Sequence, residues 1–410
     1  MIINMHNFIN LLKNNENDNS IENEYLDLKY FLTKTMNENE QYNFYFLYLP
    51  FIIELSSINI LDKNFHLKSQ ENKEIKISRL EVASIIASSF LNKIKNSTLD
   101  DNAYSYKNFI NIFNKPKPLK LNIDIDNYDE YLLNIAKQSL EINDPDEISM
   151  LHIEKLKFIM GYFKSIFKIY KNNIDFLKND FITFKRIVKD ININIFDKKE
   201  LSDIEIVKSN IEHLNNTAKV IFANKYIGGK ILSEGCCQEE IKFLTNPELL
   251  VGLIISDKLE NNEVLIIDGT ITYSTYKNYG FDLLFNKSIE SINSNSEKEY
   301  IIEIDAYKYN IKNKQLQYNK FNKDRDIKKA ILGFSDTNYD IISTGNWGCG
   351  AFLGNEVLKF LIQWYAASVC NKKINYCIHN INLIAKLNKI KQVIKLFNTS
   401  ELLEYIYDFK

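Results

Sequence analysis

The residues best suited to chemistry lie in one short stretch, Tyr226-Ile-Gly-Gly-Lys-Ile-Leu-Ser-Glu-Gly-Cys-Cys-Gln-Glu-Glu240. A glycine turn, Gly228-Gly229, is followed there by Gln238, Glu239 and Glu240. Glycine lacks a Cβ, tolerates positive φ and lets backbone N–H groups approach an anion closely. The turn and the triplet together can hold a phosphate and a sugar side by side.

A second run, Ser343-Thr-Gly-Asn-Trp-Gly-Cys-Gly-Ala-Phe-Leu-Gly-Asn355, repeats the logic with Gly345, Gly348, Gly350 and Gly354. It follows the β-branched pair Ile341-Ile342 and leads into the helical spacing Val357, Leu358, Leu361, Ile362, Tyr365, Ala366, Val369. Strand, glycine turn, helix is the pattern. Backbone donors in such a turn, assisted by the positive end of a helix, suit a pyrophosphate. The competing reading of either run alone is a tight turn with no ligand. Of the 12 glycines none precedes Gly161 and the others run from Gly228 to Gly354, which puts the expected ligand site in the second half.

Cys236, Cys237, Cys349, Cys370 and Cys377 show no paired metal-ligand spacing, so neither a metal site nor a cofactor is expected. An odd number of cysteines in a long chain fits a reduced intracellular protein. Cys349, set between glycines, has the type of a nucleophile, but no histidine can be paired with it from sequence.

The elements that must position these residues follow from composition and pattern. At 410 residues the chain can bury a large core in two or three units. A net charge of −2 offers no broad basic field for nucleic acid, and Lys372-Lys373 reads as solvated surface. The start, Met1 to Leu12, lacks the basic and apolar segments of a secretory signal. The apolar span Phe44 to Leu61 is interrupted by Pro50, Glu54 and Asn59, which favours buried helices over a membrane crossing.

Residues 1–25 are polar and expected to be disordered. Residues 26–180 read as a helical accessory domain, with Ser78-x-x-Glu81 as a capping box before Val82, Ile85, Ile86 and Phe90. A further helix carries Leu156, Ile159, Met160 and Phe163, and Asn111–Asp126, with Pro116 and Pro118, reads as a loop. Residues 181–410 change character. Strands are expected at Val220–Ala223, Val264–Asp268, Tyr300–Asp305, Tyr339–Ser343 and Ile374–Ile378. Helices are expected around Glu239–Leu244, Pro247–Ile255, Ile327–Ile331 and Val357–Val369, with an exposed loop at Asn286–Glu299. This alternation implies a mixed sheet covered on both faces, a three-layer α/β/α arrangement.

With both turns placed, the chain resembles the poly(ADP-ribose) glycohydrolases. The matching residues are Phe222-Ala-Asn-Lys-Tyr-Ile-Gly-Gly229, Gln238-Glu-Glu-Ile-Lys-Phe-Leu-Thr-Asn-Pro-Glu-Leu249, Gly269-Thr270 with Tyr273-Ser274 and Tyr276, and Thr344-Gly-Asn-Trp-Gly-Cys-Gly-Ala-Phe352. Weaker similarity at Ile77–Phe90, Lys155–Phe163 and Phe181–Arg186 extends the coverage from about Asn43 to the C-terminus. The resemblance implies a macrodomain-like catalytic domain preceded by an all-helical accessory domain. It implies hydrolysis of ribose–ribose bonds in poly(ADP-ribose), with release of ADP-ribose.

By position, Glu240 resembles the family's catalytic acid/base and Glu239 the carboxylate that holds ribose hydroxyls. Gln238, Asn224 and the Gly228-Gly229 turn match substrate-positioning residues. Ile211 and Glu212 match the pair that meets the adenine, and Tyr279 the aromatic that closes over the ligand. Asn346, Trp347, Gly348, Cys349, Gly350 and Ala351 match the diphosphate loop. The implied partners are poly(ADP-ribose), ADP-ribose and poly(ADP-ribosyl)ated proteins, met by a monomer in the nucleus or cytoplasm that binds neither nucleic acid nor membrane directly.

The chemistry fits these residue types. Breaking the bond builds oxocarbenium character on the ribose while the departing oxygen needs a proton. Consecutive helix residues point about 100° apart, so Glu239 and Glu240 suit different tasks. A helix N-terminus favours the ionised carboxylate, whereas a general acid must hold its proton. Desolvation, a second carboxylate or the diphosphate can each oppose that push.

Three positions depart from the family pattern. Ile221 stands where an acid is usual and Lys230 where a third glycine is usual. Cys377 and His379 stand where aromatic residues meet the adenosine; His379 can still stack as a flat ring. These departures motivate the alternative of a catalytically weak or inactive ADP-ribose-binding macrodomain, and a Cys349-dependent hydrolase is a third reading.

Overall fold

The computed structural model describes residues 26–58, 65–91, 93, 149–194 and 196–410. The expectations for residues 1–25 and for the loop Asn111–Asp126 lie outside the described residues. An eight-stranded mixed sheet organises the protein, in the order β1-β2-β5-β8-β4-β9-β10-β3. Its strands are β1 (Lys73–Ser78), β2 (Phe181–Val188), β3 (Ile204–Val207), β4 (Ala218–Ala223), β5 (Glu263–Thr270), β8 (Glu299–Asp305), β9 (Ile341–Gly345) and β10 (Lys373–Cys377). The run β1-β2-β5-β8 is antiparallel, and the run β8-β4-β9-β10-β3 is parallel. A separate hairpin pairs β6 (Ser274–Lys277) with β7 (Leu284–Ser288).

Two apolar clusters cover the two faces. One face packs under α9 (Lys320–Ser335), α10 (Glu356–Val369), α11 (Ile381–Ile394) and α12 (Thr399–Asp408). The other packs under α7 (Gln238–Thr245) and α8 (Leu250–Ile255). That second core continues without a break into the N-terminal helices, α1 (Leu26–Tyr30), α2 (Glu38–Asn43), α3 (Leu49–Ser56), α4 (Arg79–Phe90), α5 (Met150–Asn172) and α6 (Ile174–Asn179). Burial of such continuous apolar area is the main force joining the two parts.

The capping box forms as expected: Ser78 Oγ accepts the Glu81 N–H, and Glu81 accepts the Ser78 N–H at 3.0 Å. Where the pattern read as helical throughout, Lys73-Glu-Ile-Lys-Ile-Ser instead adds strand β1 to the sheet edge. Its alternating charged residues suit an edge, where one side faces water. The hairpin likewise takes the first residues of the expected loop Asn286–Glu299 into β7. Among the described residues no helix is long and apolar enough to cross a membrane.

Candidate active site

The parallel strands explain why distant residues meet. Val207 pairs in register with Cys377, Cys377 with Gly345, and Ala223 with Asp305. The loops leaving these strands therefore emerge along one sheet edge, the C-terminal edge where α/β sheets hold ligands. Asn224 with the Gly228-Gly229 turn follows β4, and residues 346–351 follow β9. His379 follows β10, and the short 3-10 turn Ile211–His213 follows β3.

Strands β4 and β9 pair only at Ala218 with Ile342 and Lys219 with Ser343, then part. The Gln238 side chain takes the place of the lost strand: its Oε1 accepts the Phe222 N–H at 2.9 Å and its Nε2 donates to Val220 O at 3.2 Å. An amide expected to position substrate is thus engaged in satisfying β4 where the crevice opens, as buried backbone groups require.

Glu239 and Glu240 occupy the first turn of α7, 4% and 7% exposed. Glu239 accepts backbone N–H groups from Asn224 at 2.9 Å and Gly228 at 2.8 Å. Glu240 accepts them from Lys230 at 2.9 Å and Cys237 at 2.8 Å. Gly228 and Gly229 have φ of +83° and +54°. A Cβ on Gly229 would stand 2.5 Å from Glu240 Oε1 and 2.7 Å from Glu239 Oε2, so the glycine is required by the carboxyls it wraps. The turn read as an anion cradle is occupied by two carboxyl side chains of the protein itself.

Burial raises the Glu239 pKa well above the ordinary carboxylate value, the charge of Glu240 adds to that rise, and Glu303 adds to it when ionised. The backbone donors pull the other way and lose. Desolvation and like charge therefore outweigh the helix terminus and shift Glu239 toward its protonated form. The tension posed by the sequence resolves in favour of burial.

Sequence reasoning missed the support behind this turn. Lys155 of α5, fully buried, donates to Ile231 O at 2.9 Å and to Ser233 O, tying residues 230–235 to the helical part. Burial lowers its pKa to about 8, despite the nearby Glu240 and Glu234. On the same helix His152 joins Asp27 of α1 at 2.8 Å and stands 3.4 Å from Glu234.

The loop after β9 is built on Trp347. Its indole is 0% exposed, donates to Ile304 O at 3.0 Å and lies under Lys359 Nζ at 4.0 Å. Grouped with the ligand residues by sequence, it is in the structure a buried footing whose ring has no access to a ligand. Gly348 has φ of +71° and packs on Ala306, while a Cβ on Gly350 would meet nothing within 4 Å. The space at Gly350 suits close approach to an anion. Asn346 accepts from the Tyr376 hydroxyl at 3.1 Å. Cys349 contacts Trp347 O, and burial pushes its thiol up to about 12, away from the thiolate a nucleophile needs. That removes the physical basis of the cysteine-dependent reading.

On the far side of the crevice His379 and Asn210 are hydrogen-bonded at 2.5 Å, and Asn210 donates to the Tyr276 hydroxyl at 3.2 Å. This chain brings His379 to the Ile211–His213 turn, where Ile211 is buried. Cys377 is buried within β10, so His379 supplies the flat ring at this end. Tyr279, 58% exposed, rides the β6–β7 hairpin, with its hydroxyl near Cys237, Glu240, Glu212 and Tyr276. It also lines a cleft of about 640 Å³ with Leu151, Glu154 and Phe281, between the start of α5 and the hairpin tip. Among the described residues no group of His, Cys, Asp and Glu forms a metal site.

Two family models match the chain. One, described as poly(ADP-ribose) glycohydrolase, macro domain fold, matches residues 193–386; the other, described as the helical domain of the same enzyme, matches residues 36–186. Poly(ADP-ribose) glycohydrolase 1 of Caenorhabditis elegans is 34% identical over 274 residues, 59% of this chain and 33% of the relative. Poly(ADP-ribose) glycohydrolase 2 of the same organism is 29% identical over 267 residues, 60% of this chain and 54% of the relative. The chain thus spans about a third to a half of these curated relatives. A solved poly(ADP-ribose) glycohydrolase from Thermomonospora curvata is 11% identical, covering 47% of this chain and 75% of that one. Its TM-score of 0.32 is too low to carry argument.

Proposed function

We propose, from the premise that the chain belongs to the poly(ADP-ribose) glycohydrolase family, that it hydrolyses ribose–ribose O-glycosidic bonds of poly(ADP-ribose) and releases ADP-ribose. The observation that carries this reading is the pair Glu239 and Glu240, buried side by side in the first turn of α7 at the sheet edge where the ligand loops converge.

In this scheme Glu240 protonates the departing ribose oxygen as the bond to the anomeric carbon breaks. The resulting carboxylate then takes a proton from water, whose oxygen adds to the anomeric carbon. Glu239 holds ribose hydroxyls. The Asn224 and Gly228 N–H groups keep Glu239 in place, and those of Lys230 and Cys237 keep Glu240. The N–H groups around Gly348, Gly350 and Ala351 receive the diphosphate, while Ile211, Glu212 and His379 receive the adenine under Tyr279. The substrate-bearing partners are poly(ADP-ribosyl)ated proteins. We assign residues 26–180 to the helical domain and 181–410 to the macrodomain-like domain, acting as a monomer in the nucleus or cytoplasm.

A second reading, a module that binds ADP-ribose with little turnover, draws on the same geometry. Each oxygen of Glu240 already accepts a backbone N–H, as in a residue that merely caps α7. Release of ADP-ribose from purified polymer by wild type and Glu240→Gln separates the two. Loss of the acid/base group lowers the rate about 10²–10⁴-fold. Equal release by both proteins would reject Glu240 as the acid, and calorimetric binding without any release would favour the module.

A further inference from the structure

A third carboxyl stands beside the pair with no task in the scheme above. Glu303 of β8 pairs in register with Ile221 of β4 on one side and Leu265 of β5 on the other. Residues in register share a sheet face, and Ile221 and Leu265 both belong to the core on the α7 face. Glu303 is therefore an acid set into an apolar row, 0% exposed, and among the described residues neither of its carboxyl oxygens has a hydrogen-bond partner.

Several other buried acids among the described residues are matched by cations. Asp305 meets Arg325 and Lys329, and Glu299 meets Lys219 and Lys242. Glu303 has no such partner among the described residues, and an unpaired carboxylate is too costly to bury in that form. The strands flanking it bring only Ile221 and Leu265. From α7, Glu239 senses its charge together with that of Glu240.

We propose that Glu303 is a positioning residue of this site: a carboxyl held neutral beneath α7, so that Glu239 and Glu240 can carry the charge changes of the reaction. The proposal rests on the reading of that pair given above. When Glu240 yields its proton it becomes negative, and a neutral Glu303 leaves room for that charge. An ionised Glu303 puts a further negative charge beside the pair, opposing both this step and the approach of an anionic diphosphate. Desolvation alone raises Glu303 to about 8. The site is thus intact below that pH and loses function as Glu303 ionises above it.

The test compares wild type, Glu303→Gln and Glu240→Gln from about pH 6 to about pH 10. Its readouts are ADP-ribose release from purified polymer, calorimetric affinity for ADP-ribose, and the carboxylic-acid C=O band in infrared difference spectra. Wild-type kcat/KM and affinity are expected to fall about tenfold per pH unit above about pH 8, as one ionisation dictates. Glu303→Gln, neutral at every pH and nearly the same shape, stays level beyond that point and lacks one protonated-acid band present in wild type at neutral pH. Glu303→Leu completes the apolar row and serves if the glutamine variant does not fold, with the same levelled profile expected. An alkaline fall that survives these substitutions, or no band lost with Glu303, overturns the proposal. Equal release by wild type and Glu240→Gln, or none by either, instead overturns the reading of the pair, and the affinity profile and infrared band still decide on Glu303.

Discussion

Lys230 holds Glu240 through its backbone: its N–H donates to Glu240 Oε1 at 2.9 Å while its side chain is exposed. Any residue except proline supplies that N–H, so a lysine where the family pattern has glycine leaves the bond in place. The position is occupied for its main chain, and the lysine head is free to face solvent or an approaching anion.

Gly229 has no such latitude. At φ of +54° and 2.5 Å from Glu240 Oε1, an added Cβ must displace both carboxyls. Gly229→Ala is expected to cost about 1–3 kcal/mol in denaturant unfolding and about 10²-fold in ADP-ribose release. Gly350→Ala, built into open space, should change stability by less than about 0.5 kcal/mol and weaken ADP-ribose affinity in calorimetry.

His152 predicts how stability depends on pH. Burial lowers its pKa, but the hydrogen bond to Asp27 and the Glu234 carboxylate 3.4 Å away prevail and leave it above the ordinary 6.5. A histidine raised on folding contributes stability that is complete below its unfolded value and is lost as pH rises through the folded value. Wild type should lose stability over that window relative to its value at lower pH, and His152→Gln should lack this component. Urea midpoints measured on both sides of neutrality check it; identical pH slopes in the two proteins would refute it.

Glu303 slopes the same way, because its pKa too is raised on folding, but through a growing penalty instead of a lost contribution. Its folded pKa is about 8 against an ordinary 4.5, so a penalty begins above 4.5, grows with pH and is complete above 8. Glu303→Gln is expected to raise stability at neutral pH by on the order of 2–3 kcal/mol and to leave it unchanged below about pH 4. Thermal and urea unfolding at both pH values measure the difference.

Tyr279 is the cleanest test of the ligand's path, because it is 58% exposed and packs into no core. Tyr279→Ala should leave stability within about 0.5 kcal/mol and weaken ADP-ribose binding about tenfold through lost stacking. Unaltered affinity would place the ligand away from the hairpin.

Much of the frame was legible in the chain. The capping box at Ser78, the first turn of α7, the strand-turn-helix around Gly345 and the parallel strands all rest on neighbours in sequence, where period and glycine placement carry the signal. Strand β1 escaped because Lys73–Ser78 is short and half charged, a pattern that becomes a strand only once β2 offers it partners. The short strand β3 and the hairpin β6–β7 escaped for the same reason: four pairings each set no periodicity of their own.

The identity of the acids, the glycines beside them and the family were thus readable in order along the chain, since each depends on residue type at close spacing. Their working state was not. Whether Glu239 keeps a proton depends on burial under α7 and on Glu303, brought from a strand far along the chain; the turn depends on Lys155 reaching across from α5. Such contacts are set by how sheets and helices pack, and dielectric, desolvation and charge proximity exist only after that packing is complete.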